Sequence, residues 1–260
     1  MNYWMEQSIL YANQKNYLDM LFSVYPMSTN PPRTVDEQRW SFIENAFEEK
    51  DDDVLIKYLL NLDSFPIKDS YIAFLRRFPE AAKLNPKTVA RLCGRLYEMG
   101  LDKIYEKCTE PIETNQQLGP LFKRWCKTKA LGVMPVPLDV FMSTSNDAIL
   151  DASDKKMKEW AKWTVNYNRD KGLDFVGRFN GKYVIGEAKF LSDFGGHQDA
   201  QVEDAILTLR EPNVNAIKIA ILDGVVWLET QNKMYRTVTE EYPNENIMSA
   251  LVLRDFLYSL

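Results

Sequence analysis

The chain reads as an α/β protein in which a small mixed sheet flanked by helices follows a mainly helical N-terminal region. Three observations predict this. Two strand-like runs, DFVGRF (174–179) and KYVIGEAKF (182–190), flank Asn180-Gly181, and Asn-Gly between alternating runs is the strongest short-range signal for a type I′ β-hairpin. From residue 1 to about 107 the apolar residues recur instead at helical spacing. Between these regions Gly132-Val133-Met134-Pro135-Val136-Pro137 reads as an extended connector, because proline disfavours helix at the residue before it. It divides a helical N-terminal region, 1–131, from a core at 132–260.

In chain order, residues 1 to about 30 predict one helix, with Ile9, Leu10, Tyr17, Leu18, Leu21 and Phe22 as its apolar positions. Ser28-Thr29-Asn30-Pro31-Pro32 predicts a loop, and Thr34-Val35-Asp36-Glu37 a capping box opening a helix through Phe47. Three further helices are expected between residues 50 and 107, around Val54 to Leu62, Tyr71 to Phe78 and Val89 to Tyr97. Asn85-Pro86 marks the start of the last of these and Met99-Gly100 its stop. After the connector, Asp154 to Asn166 predicts a helix with Met157, Trp160, Ala161 and Val165 inward. Gln198 to Arg210 predicts another, with Val202, Ile206 and Leu209 inward. Ala216–Leu222 and Val225–Glu229 around Asp223-Gly224 predict a second hairpin or tight strand pair completing the sheet, and Ile247 to Leu257 an apolar helix that closes either the core or a dimer contact.

Composition narrows the function. A 260-residue chain that is 45% hydrophobic and 27% charged has the make-up of an ordinary soluble protein of one large or two small domains. No run nears about eighteen apolar residues, and MNYWMEQSILYANQ lacks the basic start and apolar middle of a signal peptide. A cytoplasmic protein without a membrane partner is the expectation. Cys93, Cys108 and Cys126 show no C-x-x-C spacing, which argues against a disulfide framework or a zinc site. Cys93 falls in an apolar helical pattern, as a small core residue does. His197 is the sole histidine, so no cage of histidines can form, and no G-x-S-x-G elbow is present. A net charge of −5 argues against indiscriminate coating of nucleic acid. It leaves room for an enzyme that concentrates positive charge in one cleft.

The hairpin carries the chemistry. If Phe179 pairs with Lys182 across the turn, the same register sets Asp174 opposite Glu187, and Lys189 projects from the face of Glu187. Like charges directly opposed, with Cβ atoms about 4.5–5.5 Å apart, destabilise a sheet unless a cation lies between them. Hard divalent ions such as Mg²⁺ take carboxylate oxygens together with water and substrate phosphate. The neighbouring ammonium is then placed to act on a water or a phosphate oxygen where negative charge develops. That combination suits phosphodiester hydrolysis. The plainer alternative is the surface of an amphipathic hairpin. However, Tyr183-Val184-Ile185 before Gly186-Glu187 and Phe190 after it mark a largely buried strand, whose charges need partners.

Asp174, twelve intervening residues and then Glu187-Ala188-Lys189 resemble the PD-(D/E)XK nuclease superfamily. With the following Phe190 to Gln198, they look most like a type II restriction endonuclease, although Leu173 stands at the position of the motif's proline. The resemblance covers about thirty residues. It implies a PD-(D/E)XK restriction-endonuclease-like core, Mg²⁺ held by Asp174 and Glu187 with the carbonyl of Ala188, Mn²⁺ as a substitute ion, and Lys189 assisting the attacking water. It further implies cleavage of double-stranded DNA at a short specific sequence, a prokaryotic cell, and a homodimer, since two-fold symmetry matches palindromic sites. Two rivals are a structure-specific DNA or RNA nuclease of the same superfamily and a non-catalytic DNA-binding protein. Glu159, on the helix before the hairpin, is a candidate third carboxylate or an exposed structural residue.

DNA contacts have two candidate sources. Arg76, Arg77, Arg91 and Arg95, and then Lys123, Arg124, Lys127 and Lys129 around Trp125, are dense cations. The last four, within seven residues, create the strongest local positive field, unless they simply form a solvated helix face. Ser192, Asp193, His197, Gln198 and Gln201 fall in the loop and first helical turn beyond the hairpin. Such groups read base edges, or else they form a capping loop without a DNA contact.

Overall fold

The computed structural model describes residues 1–26, 32–111, 118–230 and 232–260. The chain packs as two compact units, one formed by residues 1–27 and 114–260 and the other by residues 28–113. The first unit therefore includes helices from before the sheet, and these units follow different lines from the 131/132 partition.

The single helix expected over residues 1–30 is two, α1 (Tyr3–Ala12) and α2 (Tyr17–Val24). The intervening NQKN sequence breaks it: the Asn13 amide donates back to the Ile9 carbonyl at 2.8 Å, and Asn16 takes a left-handed conformation with φ 68°, which asparagine tolerates better than most residues. Of the expected loop at 28–32, residues 28–31 lie outside the described residues.

The second unit is built of α3 (Glu37–Glu49), α4 (Asp52–Leu60), α5 (Tyr71–Arg77), α6 (Ala81–Leu84), α7 (Pro86–Met99) and α8 (Leu101–Thr109). The cap of α3 is Asp36 rather than Thr34: its side chain accepts from the Arg39 N–H at 2.9 Å, a bond worth about 1 kcal/mol. Helix α7 begins and ends as expected, at Pro86 and before Gly100, whereas α6 and α8 were not foreseen. Ile43, Leu55, Leu59, Leu92, Cys93, Leu96 and Ile104 form its core. Burial of each large side chain contributes about 1.5–3 kcal/mol.

The first unit continues with α9 (Leu118–Cys126), β1 (Pro135–Val136), α10 (Leu138–Ser143), β2 (Ala148–Leu150), α11 (Asp154–Val165), β3 (Phe175–Phe179), β4 (Lys182–Leu191), α12 (Gly196–Leu209), β5 (Ile217–Gly224), α13 (Lys233–Arg236), β6 (Ile247–Met248) and α14 (Ala250–Tyr258). The six strands form one mixed sheet in sequence order. Pairing is antiparallel from β2 through β4 and parallel for β1–β2, β4–β5 and β5–β6. The stretch read as a connector thus supplies an edge strand. One face is covered by α10 and α11, where Phe141, Met157, Trp160, Ala161 and Val165 pack on Leu150, Val176 and Ile185. Residues of α1, α2, α9, α12 and α14 join β4 and β5 in the larger core.

The hairpin register is the expected one, with Phe179 opposite Lys182 and Phe175 opposite Gly186. Asn180 and Gly181 both have positive φ, 48° and 74°, as a type I′ turn requires. The second hairpin does not form. Asp223 keeps a negative φ, the chain leaves β5 into a 3₁₀ turn at Val225–Trp227, and β5 pairs in parallel with strands on both sides. The apolar helix expected from Ile247 is a short strand followed by α14, because Ser249 caps the helix by accepting from the Leu251 N–H.

Two buried polar groups tie this unit together. Arg178, on β3, donates to the carbonyls of Asn146 (2.9 Å) and Phe141 (2.7 Å) and to the Thr144 hydroxyl (3.1 Å). Its guanidinium lies 4.8 Å from the centre of the Phe141 ring. Asp223 accepts from the Tyr25 hydroxyl at 2.7 Å, the Ser249 hydroxyl and the Ala250 N–H at 3.2 Å. Burial pushes its carboxyl up to about 6 against the pull of these hydrogen bonds.

Candidate active site

Where β3 begins, the Asp174 N–H bonds the Gly186 carbonyl at 3.1 Å, extending the hairpin by one rung and placing Asp174 beside Glu187. Its carboxylate accepts from the Ala188 N–H at 3.0 Å. Lys189 Nζ lies 2.8 Å from Glu187 Oε2 and 3.6 Å from Asp174 Oδ2. The three charged groups thus meet at one point, as alternation along β4 dictates. Gly186 permits this position: a Cβ there would stand 2.5 Å from Ile219 Cγ1 and 2.9 Å from the Ile219 carbonyl on β5.

Glu187 is 1% exposed. Burial, followed by the charge of Asp174, raises its carboxyl to about 7 against the attraction of Lys189. Burial also opposes the charge on Lys189, but the Glu187 and Asp174 carboxylates outweigh it and hold the ammonium above its ordinary value. Glu187 Oε1 is buried with no hydrogen-bond partner among the described residues, a costly state for a carboxylate oxygen. An all-oxygen donor set with one orphaned oxygen fits a hard divalent cation. Among the described residues no group of three or more His, Cys, Asp and Glu assembles that could hold a metal.

In the metal-free protein, between the unfolded value near 4.5 and about 7, the folded chain holds a proton on Glu187 that the unfolded chain has lost. Stability therefore falls as pH rises through that window and stays low above it. Glu187→Gln, which mimics the protonated side chain, is expected to be the more stable at pH 8 by up to about 3 kcal/mol, at about 1.4 kcal/mol per pH unit, and equal to the parent near pH 4. Urea melts in EDTA at both pH values check this, and a parent as stable as the variant at pH 8 would contradict it.

A cleft of about 210 Å³ opens beside the cluster, lined by Asp174, Ala188, Lys189, His197, Gln198 and Gln201. The structure thus brings three of the five loop candidates to the charged residues. Ser192 and Asp193 line no part of it: Ser192 Oγ accepts a long 3.5 Å contact from Gln198, and Asp193 caps the Phe194 N–H. Glu159 is exposed on α11, outside any such group. Of the basic cluster, Lys123 pairs with Asp154 and Lys127 with Asp151 at 2.8 Å, while Arg124 and Lys129 are exposed.

Sequence reasoning missed the aromatic wall of the cleft. Tyr25, Leu118 and Phe122 complete it from α9 and the end of α2; the edge of the Tyr25 ring meets Phe190, with centroids 5.0 Å apart. Also unforeseen is a cationic group flanking Glu187, in which Arg169 and Lys171 both bind the Asp204 carboxylate on α12. Lys171 favours the ionised form of Glu187. Arginine and lysine near a motif carry no local signal of such a role, since only the fold brings α12 across from residues 169–171.

A mixed sheet gathers two carboxylates and an ammonium at one end of its central hairpin, beside an open cleft, an arrangement suited to hydrolytic chemistry. The chain belongs to the Tsp45I type II restriction enzyme family, whose model matches residues 2–260. No curated protein and no solved structure matches it. It is thus a restriction endonuclease, a site-specific deoxyribonuclease whose substrate is DNA. Enzymes of this type generally use divalent metal ions. No helix among the described residues is long and apolar enough to cross a membrane.

Proposed function

We propose that the chain cleaves double-stranded DNA at a short specific sequence with Mg²⁺ held by Asp174, Glu187 and the Ala188 carbonyl, on a PD-(D/E)XK core. The observation that carries this reading is the convergence of Asp174, Glu187 and Lys189 around an orphaned carboxylate oxygen. Bound there, Mg²⁺ supplies a Lewis acid that neutralises charge on the scissile phosphate. The Lys189 ammonium, between the two carboxylates, orients the attacking water by hydrogen bonding and counters negative charge as it grows on the phosphate. Asp174, fixed by the Ala188 N–H, holds its oxygen in place without a conformational search. Mn²⁺, with similar oxygen preference, substitutes.

His197, Gln198 and Gln201, which line the cleft with Asp174 and Lys189, read a base or sugar edge in this proposal, and the exposed Arg124 and Lys129 contact phosphates. A third carboxylate from Glu159 finds no support in its exposed position. A homodimer on a two-fold symmetric site, in the cytoplasm of a prokaryotic cell, completes the proposal.

Long duplex DNA of known sequence, incubated with Mg²⁺ and separately with EDTA, is expected to give discrete fragments only with Mg²⁺, and end mapping then reads the site directly. A smear would point to a structure-guided nuclease instead, and cutting that persists in EDTA would remove the metal from the mechanism.

A further inference from the structure

The 28–113 unit carries no part of the charged cluster, yet its charge is sharply divided. Residues 68–97 hold seven Lys and Arg against two carboxylates, whereas residues 36–63 hold nine Asp and Glu against three cations. The basic half also exposes aromatic rings: Tyr71, Phe74 and Phe78 on and just after α5 are 57%, 54% and 58% exposed. At spacings of three and four residues they share one helix face, and the Phe74 and Phe78 rings touch, with centroids 5.2 Å apart.

Cations continue this row. The Arg91 guanidinium lies over the Tyr71 ring at 5.7 Å. Arg91 and Arg95, one turn apart on α7, share the Asp69 carboxylate at 2.7 and 3.5 Å. One carboxylate for two guanidiniums leaves a net positive charge, and Arg77 adds another exposed cation at the end of α5. Solvated helix faces bring cations but not three half-exposed rings, and an ordinary apolar contact would not be edged with unbalanced arginines.

We propose that this strip on α5 and α7 is a second DNA-binding surface, on which Arg77, Arg91 and Arg95 contact phosphates while Phe74 and Phe78 press on the sugars and base edges of the groove between them. The proposal rests on the reading of the chain as a DNA-cleaving enzyme and adds a second place where the duplex is held. Polyanion binding explains the cations, and apolar wedges at a groove explain the rings; an apolar contact alone would leave the cations unexplained.

The test uses the full-length chain in EDTA, so that a labelled duplex stays intact while binding is measured across a salt series. Arg77→Gln, Arg91→Gln and Arg95→Gln combined are expected to weaken binding about 10- to 1,000-fold and to lower the slope of log affinity against log salt by about 2–3, near 0.9 for each phosphate no longer neutralised. Phe74→Ser with Phe78→Ser is expected to weaken binding at least about tenfold with little change of slope, because an apolar wedge releases no counterions. Because Arg91 and Arg95 also bind Asp69, a second set, Arg77→Gln with the two Phe→Ser changes, breaks no ion pair among the described residues and decides the matter if the first set unfolds in a circular dichroism melt. Binding equal to the parent in the folded variants overturns the proposal. So does a loss of binding that tracks dissociation of a dimer in sedimentation, since the strip would then be a subunit contact. Cleavage by the parent in Mg²⁺ is measured alongside: if the parent cuts while the variants bind normally, only this surface fails, and if the parent neither binds nor cuts, the functional reading fails too.

Discussion

Lys189→Ala is expected to lose cleavage by about a hundred- to a thousandfold while still binding DNA, and Glu187→Ala to lose it at least as far. The first figure is the usual cost of removing one preorganised charge stabiliser from an active site. Lys189 lies within 3.6 Å of both carboxylates, whereas the nearby Arg169 and Lys171 are paired with Asp204. Retained binding matters as much as lost turnover, because it separates a role in the chemistry from a role in holding substrate. Glu187→Ala removes half of the side-chain oxygen donors at the site. A gel time course with and without Mg²⁺ measures both; undiminished cleavage by Glu187→Ala would sink the proposed mechanism.

The largest effect on stability is expected from Asp223→Ala, at about 3–5 kcal/mol in urea unfolding. The carboxylate is fully buried and accepts from Tyr25, Ser249 and Ala250. Its removal leaves two hydroxyls and an N–H to find other partners, each at about 1–3 kcal/mol if none is found, and opens a cavity at the start of α14. Asp223→Asn, of similar shape, is expected to cost less. Since the folded carboxyl is raised to about 6 from an ordinary 3.8, its contribution is greatest below the ordinary value, declines as pH rises through that window and is constant above it. The Asn variant should therefore lose stability less steeply than the parent between pH 4 and pH 6. A cost for Asp223→Ala below about 1 kcal/mol would show that the network is ornamental to the fold.

The hairpin and its site were legible in the sequence because their determinants are local. Asn180-Gly181 selects the turn by the positive φ that both residues adopt, and the turn sets the register. A side-chain period of two then puts Asp174, Glu187 and Lys189 together without reference to anything distant. The bounds of α7 were legible for the same reason, since proline and glycine act on their own backbone. The ambiguous signals were those whose outcome depends on partners. Asp223-Gly224 has the composition of a turn, yet Asp223 ends a central parallel strand because Tyr25, nearly two hundred residues earlier, and Ser249 supply its hydrogen bonds. Residues 132–137 read as a connector because no local signal distinguishes an edge strand from a linker; pairing with β2 decides it.

The sequence by itself determined which carboxylates and which lysine meet, because a tight turn converts spacing directly into geometry. Only the tertiary structure decided the setting: the parallel pairing that buries Glu187, the Tyr25 and Phe122 wall of the cleft, and the ion pairs that engage Lys123 and Lys127. Parallel strands and cleft walls are joined by segments far apart in the chain. Their pairing is selected by buried area and hydrogen-bond satisfaction summed over the whole core, quantities that no short stretch of residues encodes.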